Sequence, residues 1–177
     1  MDEAGMTATA GEVSSERYIG KLKGTLPGPT MIFMGGVHGN EPSGVKALEN
    51  VLTFLTESRT IIHGNIIALR GNIPALKRGA RYYRNDLNRM WTFDAMRRIE
   101  SKDPAELNED EKQQKEIHEE IQRILAEEAG PFYFLDLHTT SGSTVPFMTV
   151  NDSLLNRSFA WLIPTPVSYT HLRAHET

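Results

Sequence analysis

The chain has no cysteine in its 177 residues. Disulfides and thiolate metal sites are therefore excluded, and any transition-metal site must be built from histidine and carboxylate. A thiol-free chain also fits a reducing compartment. No apolar run approaches the roughly 20 residues that span a bilayer as a helix. The start, Met1 to Ser15, lacks the basic stretch and apolar core of a secretory signal, so the expected location is the cytoplasm. Positive charge is not in excess: the net charge is -4, which gives no basic field to favour nucleic acid or an anionic membrane. Hydrophobic residues nevertheless make up 39%, enough for a substantial core, and the length fits one domain or one domain with a fragment of another. Nothing in the sequence excludes a homo-oligomer.

Residues 1–16 read as a flexible end. Tyr18 to Leu22 fits a short strand, and Leu26-Pro27-Gly28-Pro29 a turn. Thr30 to Val37 is almost continuously apolar, the pattern of a strand buried on both faces, and Gly35-Gly36 near its end permits close approach or an unusual turn. Val45, Leu48, Leu52 and Leu55 then recur at helical spacing behind Ser43, a candidate N-cap. Asn65 to Leu69 predicts a second strand, Ala75 to Met90 a long basic loop, and Asp94 to Ile99 a short helix. Residues 101–111 read as an acidic surface linker. Lys112 to Ala129 predicts a helix whose stripe is Ile117, Ile121, Ile124 and Leu125, stopped by Gly130-Pro131. Phe132 to Leu137 predicts a third buried strand and Val145 to Val150 a fourth. Strands alternating with helices point to an α/β fold: a central, largely parallel sheet flanked by helices.

Two histidines fall at the carboxyl ends of predicted strands. His38-Gly39-Asn40-Glu41 lies on the turn between the first buried strand and the first helix, where open α/β sheets bind ligands. Two histidines and one carboxylate form a common catalytic zinc set that leaves a position for water, and His138 is the natural third ligand. A lone His-x-x-Glu occurs by chance; the joint placement of both histidines at strand ends raises the signal. Asp136 precedes His138 by two residues on the same strand. It could serve the site or orient the imidazole, or simply pair with a backbone amide or an arginine. The stretch Arg81 to Arg89 combines arginine forks with asparagines, as an anion-binding group would, although in isolation a solvated basic loop is the plainer reading. His63 reads as a turn residue, His118 as the edge of a helix stripe, and the pair His171 and His175 as accidental. Trp91 and Phe93 read as packing residues. Ser141-Gly142-Ser143 lacks the strand-to-helix elbow of a serine hydrolase.

Taken together, Gly35-Gly36-Val37-His38-Gly39-Asn40-Glu41-Pro42, then Arg81 with Asp86-Leu87-Asn88-Arg89, then Asp136-Leu137-His138-Thr139 resemble the succinylglutamate desuccinylase/aspartoacylase family, a branch of the zinc carboxypeptidase-like hydrolases. The resemblance spans about residues 30–165. It implies a mixed, largely parallel sheet of zinc carboxypeptidase type, with His38, Glu41 and His138 as zinc ligands. It also implies Arg81, Asn88 and Arg89 as the residues that bind a substrate carboxylate or polarise its carbonyl, with Arg81 catalytic, and Asp86 as a buried structural acid. The implied activity is hydrolysis of the amide of a small anionic N-acyl amino acid. The family's proton-shuttling glutamate lies well downstream of the third ligand, and after His138 this sequence has only Glu176, in a dissimilar setting. From about Val167 the sequence resembles translated adapter. The expectation is a partial zinc-hydrolase domain over 17–166, incomplete at its C-terminus, with a non-native tail over 167–177 and impaired catalysis. Two alternatives are a zinc carboxypeptidase acting on peptides and a non-catalytic zinc- and anion-binding module.

Overall fold

A computed structural model describes residues 16–170 of the chain. The chain divides into two compact units that part after Thr139. The first holds a four-stranded sheet in the order β1-β3-β2-β4, from β1 (Tyr18–Lys23), β2 (Leu26–Gly35), β3 (His63–Arg70) and β4 (Phe132–Leu137). Strands β3, β2 and β4 run parallel, and β1 is antiparallel to β3 on one edge. The sheet is thus mixed and largely parallel.

The apolar runs of the central strands arise because each strand is covered on both faces. Ile32 and Met34 of β2 and Ile67 and Leu69 of β3 point into one core with Leu87, Ile99, Ile117 and Ile124. The alternate residues Phe33, Ile66 and Ala68 pack on the other face against Leu48 and Leu52. Those two leucines belong to α1 (Ser43–Glu57), whose inward stripe also includes Val45. The opposite face is covered by α3 (Phe93–Ser101) and α4 (Glu109–Glu127).

Five local expectations change. The Leu26–Pro29 turn is the start of β2, joined to the rest of the strand through a register shift between Leu26 and Thr30. Ser43 does not cap α1; it is the first helical residue, and Pro42 occupies the cap position without a side-chain bond. The predicted loop from Ala75 to Met90 contains α2 (Ile73–Arg78) and a 3-10 turn at Leu87–Arg89. Asn72 caps α2 by accepting the Ala75 N–H, and Gly79 ends it at φ 61°, so this short helix is set by its caps rather than by an apolar stripe. The acidic linker is only partly a surface feature. Its last residues open α4 through a capping box: Asn108 accepts the Asp110 and Glu111 amides while Glu111 accepts the Asn108 amide. Glu111 and Asp110 are buried, as are Gln113, Gln114 and Glu120, so the inward face of α4 is largely polar. Leu125, assigned to the stripe from sequence, is 40% exposed.

The second unit contains β5 (Met148–Asn151), α5 (Leu154–Ala160) and β6 (Val167–Thr170), with β5 and β6 parallel. Ser153 caps α5, and Arg157 pairs with Asp152 and lies 5.2 Å over the Tyr169 ring. The helix α5 was not anticipated from sequence. His171, His175 and Glu176 lie outside the described residues.

Candidate metal centre

The carboxyl ends of β2 and β4 are neighbours, with Gly35 opposite Leu137. The chain leaving β2 turns sharply, and Gly36 takes φ 76°, a conformation that favours glycine. Gly39 passes so close to α2 that an added Cβ would sit 2.2 Å or less from the Ala75 carbonyl atoms. This turn buries His38 to 3% exposure and Glu41 to 7%. One residue past β4, His138 is delivered to the same place.

Glu41 joins the two strand ends. Its Oε1 lies 2.9 Å from Nδ1 of His38, and its Oε2 lies 3.2 Å from Nδ1 of His138 and accepts the Thr139 amide at 2.8 Å. The two rings are 4.9 Å apart at a tilt of 55°. Each ring is held from behind by a second carboxylate. Nε2 of His38 is 3.0 Å from Oδ1 of Asp86, and Nε2 of His138 is 2.7 Å from Oδ2 of Asp136. Asp136 thus takes the imidazole-orienting option left open by its position two residues before His138. Asp86, expected to be a structural acid, does for His38 what Asp136 does for His138.

Charge follows from these contacts. Burial works against ionisation of Glu41, but the Thr139 amide and the two imidazoles outweigh it, and its pKa lies below the ordinary glutamate value. Burial likewise opposes ionisation of Asp86, and His38, the Asn88 amide and Arg81 together bring its pKa below the usual value. The hydrogen bond that His138 donates to Asp136 raises its pKa, against the opposing effect of burial, with further support from the Asp136 charge and from Glu41.

One ligand-type atom from each of His38, Glu41 and His138 lies within 4.8 Å of the others. Four ligands at zinc distances of 2.0–2.1 Å sit about 3.3 Å from one another in a tetrahedron. The Nδ1-to-carboxylate separations of 2.9 and 3.2 Å are close to that spacing. Both Nδ1 atoms face the shared carboxylate while both Nε2 atoms are bound to other carboxylates. That is the carboxylate–histidine arrangement which fixes a metal-ligating tautomer. The donor set therefore fits zinc: two imidazoles and one carboxylate, without thiolate.

Arg81 borders the cluster. Its guanidinium is 3.6 Å from Glu41 and 3.3 Å from Asp86, and its side chain remains 48% exposed. Its carbonyl accepts the Gly39 N–H at 3.2 Å, tying the arginine segment to the histidine turn. Asn88 and Arg89 follow Asp86 on the 3-10 turn. Both are exposed, and neither side chain has a hydrogen bond or ion pair among the described residues. The structure thus gathers His38, Glu41, His138 and Arg81, and leaves Asn88 and Arg89 free beside Asp86 in the chain. His63 opens β3 at an exposed position, and His118 sits 3.9 Å from Glu100, away from the cluster. Trp91 is 40% exposed and Phe93 86%, so Phe93 is not the packing residue expected of it.

These features define an α/β protein with a His-Glu-His cluster at the carboxyl ends of adjacent parallel strands. A profile of the succinylglutamate desuccinylase/aspartoacylase catalytic domain matches residues 27–162, and the chain belongs to that family. Succinylglutamate desuccinylases from Photorhabdus laumondii and Yersinia pseudotuberculosis are each 34% identical to it over 62 residues, which is 35% of this chain and 19% of each relative. The crystal structure of the succinylglutamate desuccinylase from Chromobacterium violaceum matches with a TM-score of 0.54 at 22% identity, over 76% of this chain and 37% of that one. The enzyme from Vibrio parahaemolyticus matches at 0.56 and 16%, over 82% and 53%. These structures share the fold, and the chain spans only part of each relative's length.

Proposed function

We propose that the chain carries the zinc centre of an amidohydrolase that cleaves small anionic N-acyl amino acids. The observation that carries this reading is the convergence of His38, Glu41 and His138, from two adjacent strand ends, within 4.8 Å. Zinc, when bound, supplies Lewis acidity at the amide carbonyl and activation of water at neutral pH. His38 and His138 hold it through Nδ1 and Glu41 through its carboxylate, with Asp86 and Asp136 fixing the two rings. Arg81 presents a half-exposed guanidinium at the rim, suited to an oxygen that gains negative charge as the carbonyl is attacked. Asn88 and Arg89, without side-chain partners among the described residues, are suited to a substrate carboxylate. The named activity of the bacterial relatives supports an anionic acyl amino acid as substrate. Together with the absence of cysteine, it supports a cytoplasmic setting.

Proton delivery to the leaving nitrogen needs a free carboxylate or its equivalent. Glu41 is engaged by two imidazoles and an amide, and Asp86 and Asp136 by one imidazole each. None of the three is available for that task. This favours a second reading for the chain on its own: zinc and anion binding with low turnover. Zinc-loaded protein offered N-succinyl amino acids, N-acetyl amino acids and short peptides separates the readings. Release of amino acid from the N-acyl compounds supports the amidohydrolase, ligand binding without release supports the binding module, and preference for peptides contradicts both.

A further inference from the structure

Asp110 is a fully buried carboxylate outside the cluster. It stands in the first turn of α4, and four donors converge on it. Its Oδ1 accepts the Tyr83 amide at 3.0 Å and Nδ2 of Asn72 at 2.7 Å, and its Oδ2 accepts the Arg84 amide at 2.5 Å and the Asn85 amide at 2.7 Å. Three successive backbone N–H groups thus end on one side chain. Those three residues lie between Arg81, at the rim of the cluster, and Asp86, which holds the His38 ring. The Arg81 end of the segment is tied to the histidine turn by the Gly39 N–H. With Tyr83 to Asn85 also secured, the intervening backbone has little freedom, and the Asp86 carboxylate is delivered to Nε2 of His38 at 3.0 Å.

We propose that Asp110 is a positioning residue for the metal centre, acting through the 83–85 backbone to place Asp86 against His38 and Arg81 beside Glu41. Only a carboxylate suits the position. Both oxygens accept, so the amide of asparagine, in either orientation, would set an NH2 group against at least one backbone N–H. A buried amide left without an acceptor drives the segment to rearrange toward solvent. The effect then passes along one continuous chain of contacts: α4, the 83–85 backbone, Asp86, His38. The inference rests on the zinc reading above, and it assigns a role to a residue that touches no atom of the cluster.

The test is zinc affinity by competition with a chromogenic chelator, alongside thermal stability. Asp110→Asn should bind zinc about tenfold more weakly, within the range expected when support for a ligand is lost. Because it acts through Asp86, Asp110→Asn should cost little more affinity in an Asp86→Asn background, whereas their effects on stability should largely add. Thr30→Val, which removes a partly buried bond from β2 to the Ala129 carbonyl, is the control: stability falls and zinc affinity stays. If Asp110→Asn does not fold, Asn72→Ser replaces it. Serine retains a cap for α2 but loses the donor to Asp110, and zinc binding should weaken in the same direction. Unchanged affinity in a folded variant that has lost an Asp110 contact overturns the positioning role while leaving the zinc centre intact. A parent protein that binds no zinc overturns both.

Discussion

Glu41 accepts from donors at both strand ends, and the two imidazoles it meets are each backed by an aspartate. The pairings differ in setting. Asp86 has a side chain 19% exposed behind a buried ring, whereas Asp136 is 25% exposed behind a ring 31% exposed. Removing either charge should loosen zinc by about 10- to 100-fold. Asp86→Asn should sit at the upper end, because water replaces a lost partner more readily at the exposed ring. Chelator competition on the two single variants measures this, and equal affinity to the parent in both would show that neither aspartate supports a ligand. The proposed ligands were legible as candidates in the sequence because each follows a recognisable apolar run, and the structure brings the three together. Asp86 was legible as a motif residue but not as a partner of His38, since 48 positions separate them and only the fold sets that distance. Asp110 carried no signal at all. It stands in a run of acids that looks solvated, and nothing local reveals that the backbone of residues 83–85 lies against it.

The helix α4 shows how far element-level reading goes. Its existence and its Ile117–Ile124 spacing followed from periodicity, but its start did not, because the cap and first turn are made of residues that also suit a surface linker. The capping box is nonetheless a structural commitment. Asn108→Ala should lower unfolding free energy by about 1 kcal/mol in chemical denaturation, through the loss of the Oδ1 acceptor shared by two backbone amides. Its partner Glu111 gives a pH dependence. Burial opposes its ionisation, but Lys102 and the Asn108 amide, with Arg98, bring its folded pKa below the ordinary value. A lowered folded value means that the stabilisation is complete above the unfolded pKa of about 4.3 and fades as pH falls through the folded one. Glu111→Gln should therefore flatten the acid side of the stability profile, most visibly below pH 5. A profile identical to the parent's would remove Glu111 from the account of acid stability. The short α2 was missed for a related reason: Asn72 and Gly79 define it, and a helix of six residues has no room for an apolar period.

For the molecule as a whole, the largely parallel sheet was legible because β2, β3 and β4 are each nearly apolar; β2 and β3 are covered on both faces, whereas β4, expected to be buried, is an edge strand with no fully buried residue and Phe134 51% exposed. Their order was not. That β2 lies between β3 and β4 is a property of packing between distant segments, and it is what turns two separate histidine turns into one site. Local sequence did not disclose β6, whose pairing with β5 depends on a partner about 20 residues away. The account stands on the first of these facts, which brings His38, Glu41 and His138 together as the proposed ligands of one ion. Isothermal titration of the metal-free protein with zinc, repeated on His38→Ala and His138→Ala, tests it most directly. The account predicts one zinc per chain in the parent and loss of that site in each variant. A parent that takes up no zinc, or variants that bind it as tightly as the parent, would contradict it.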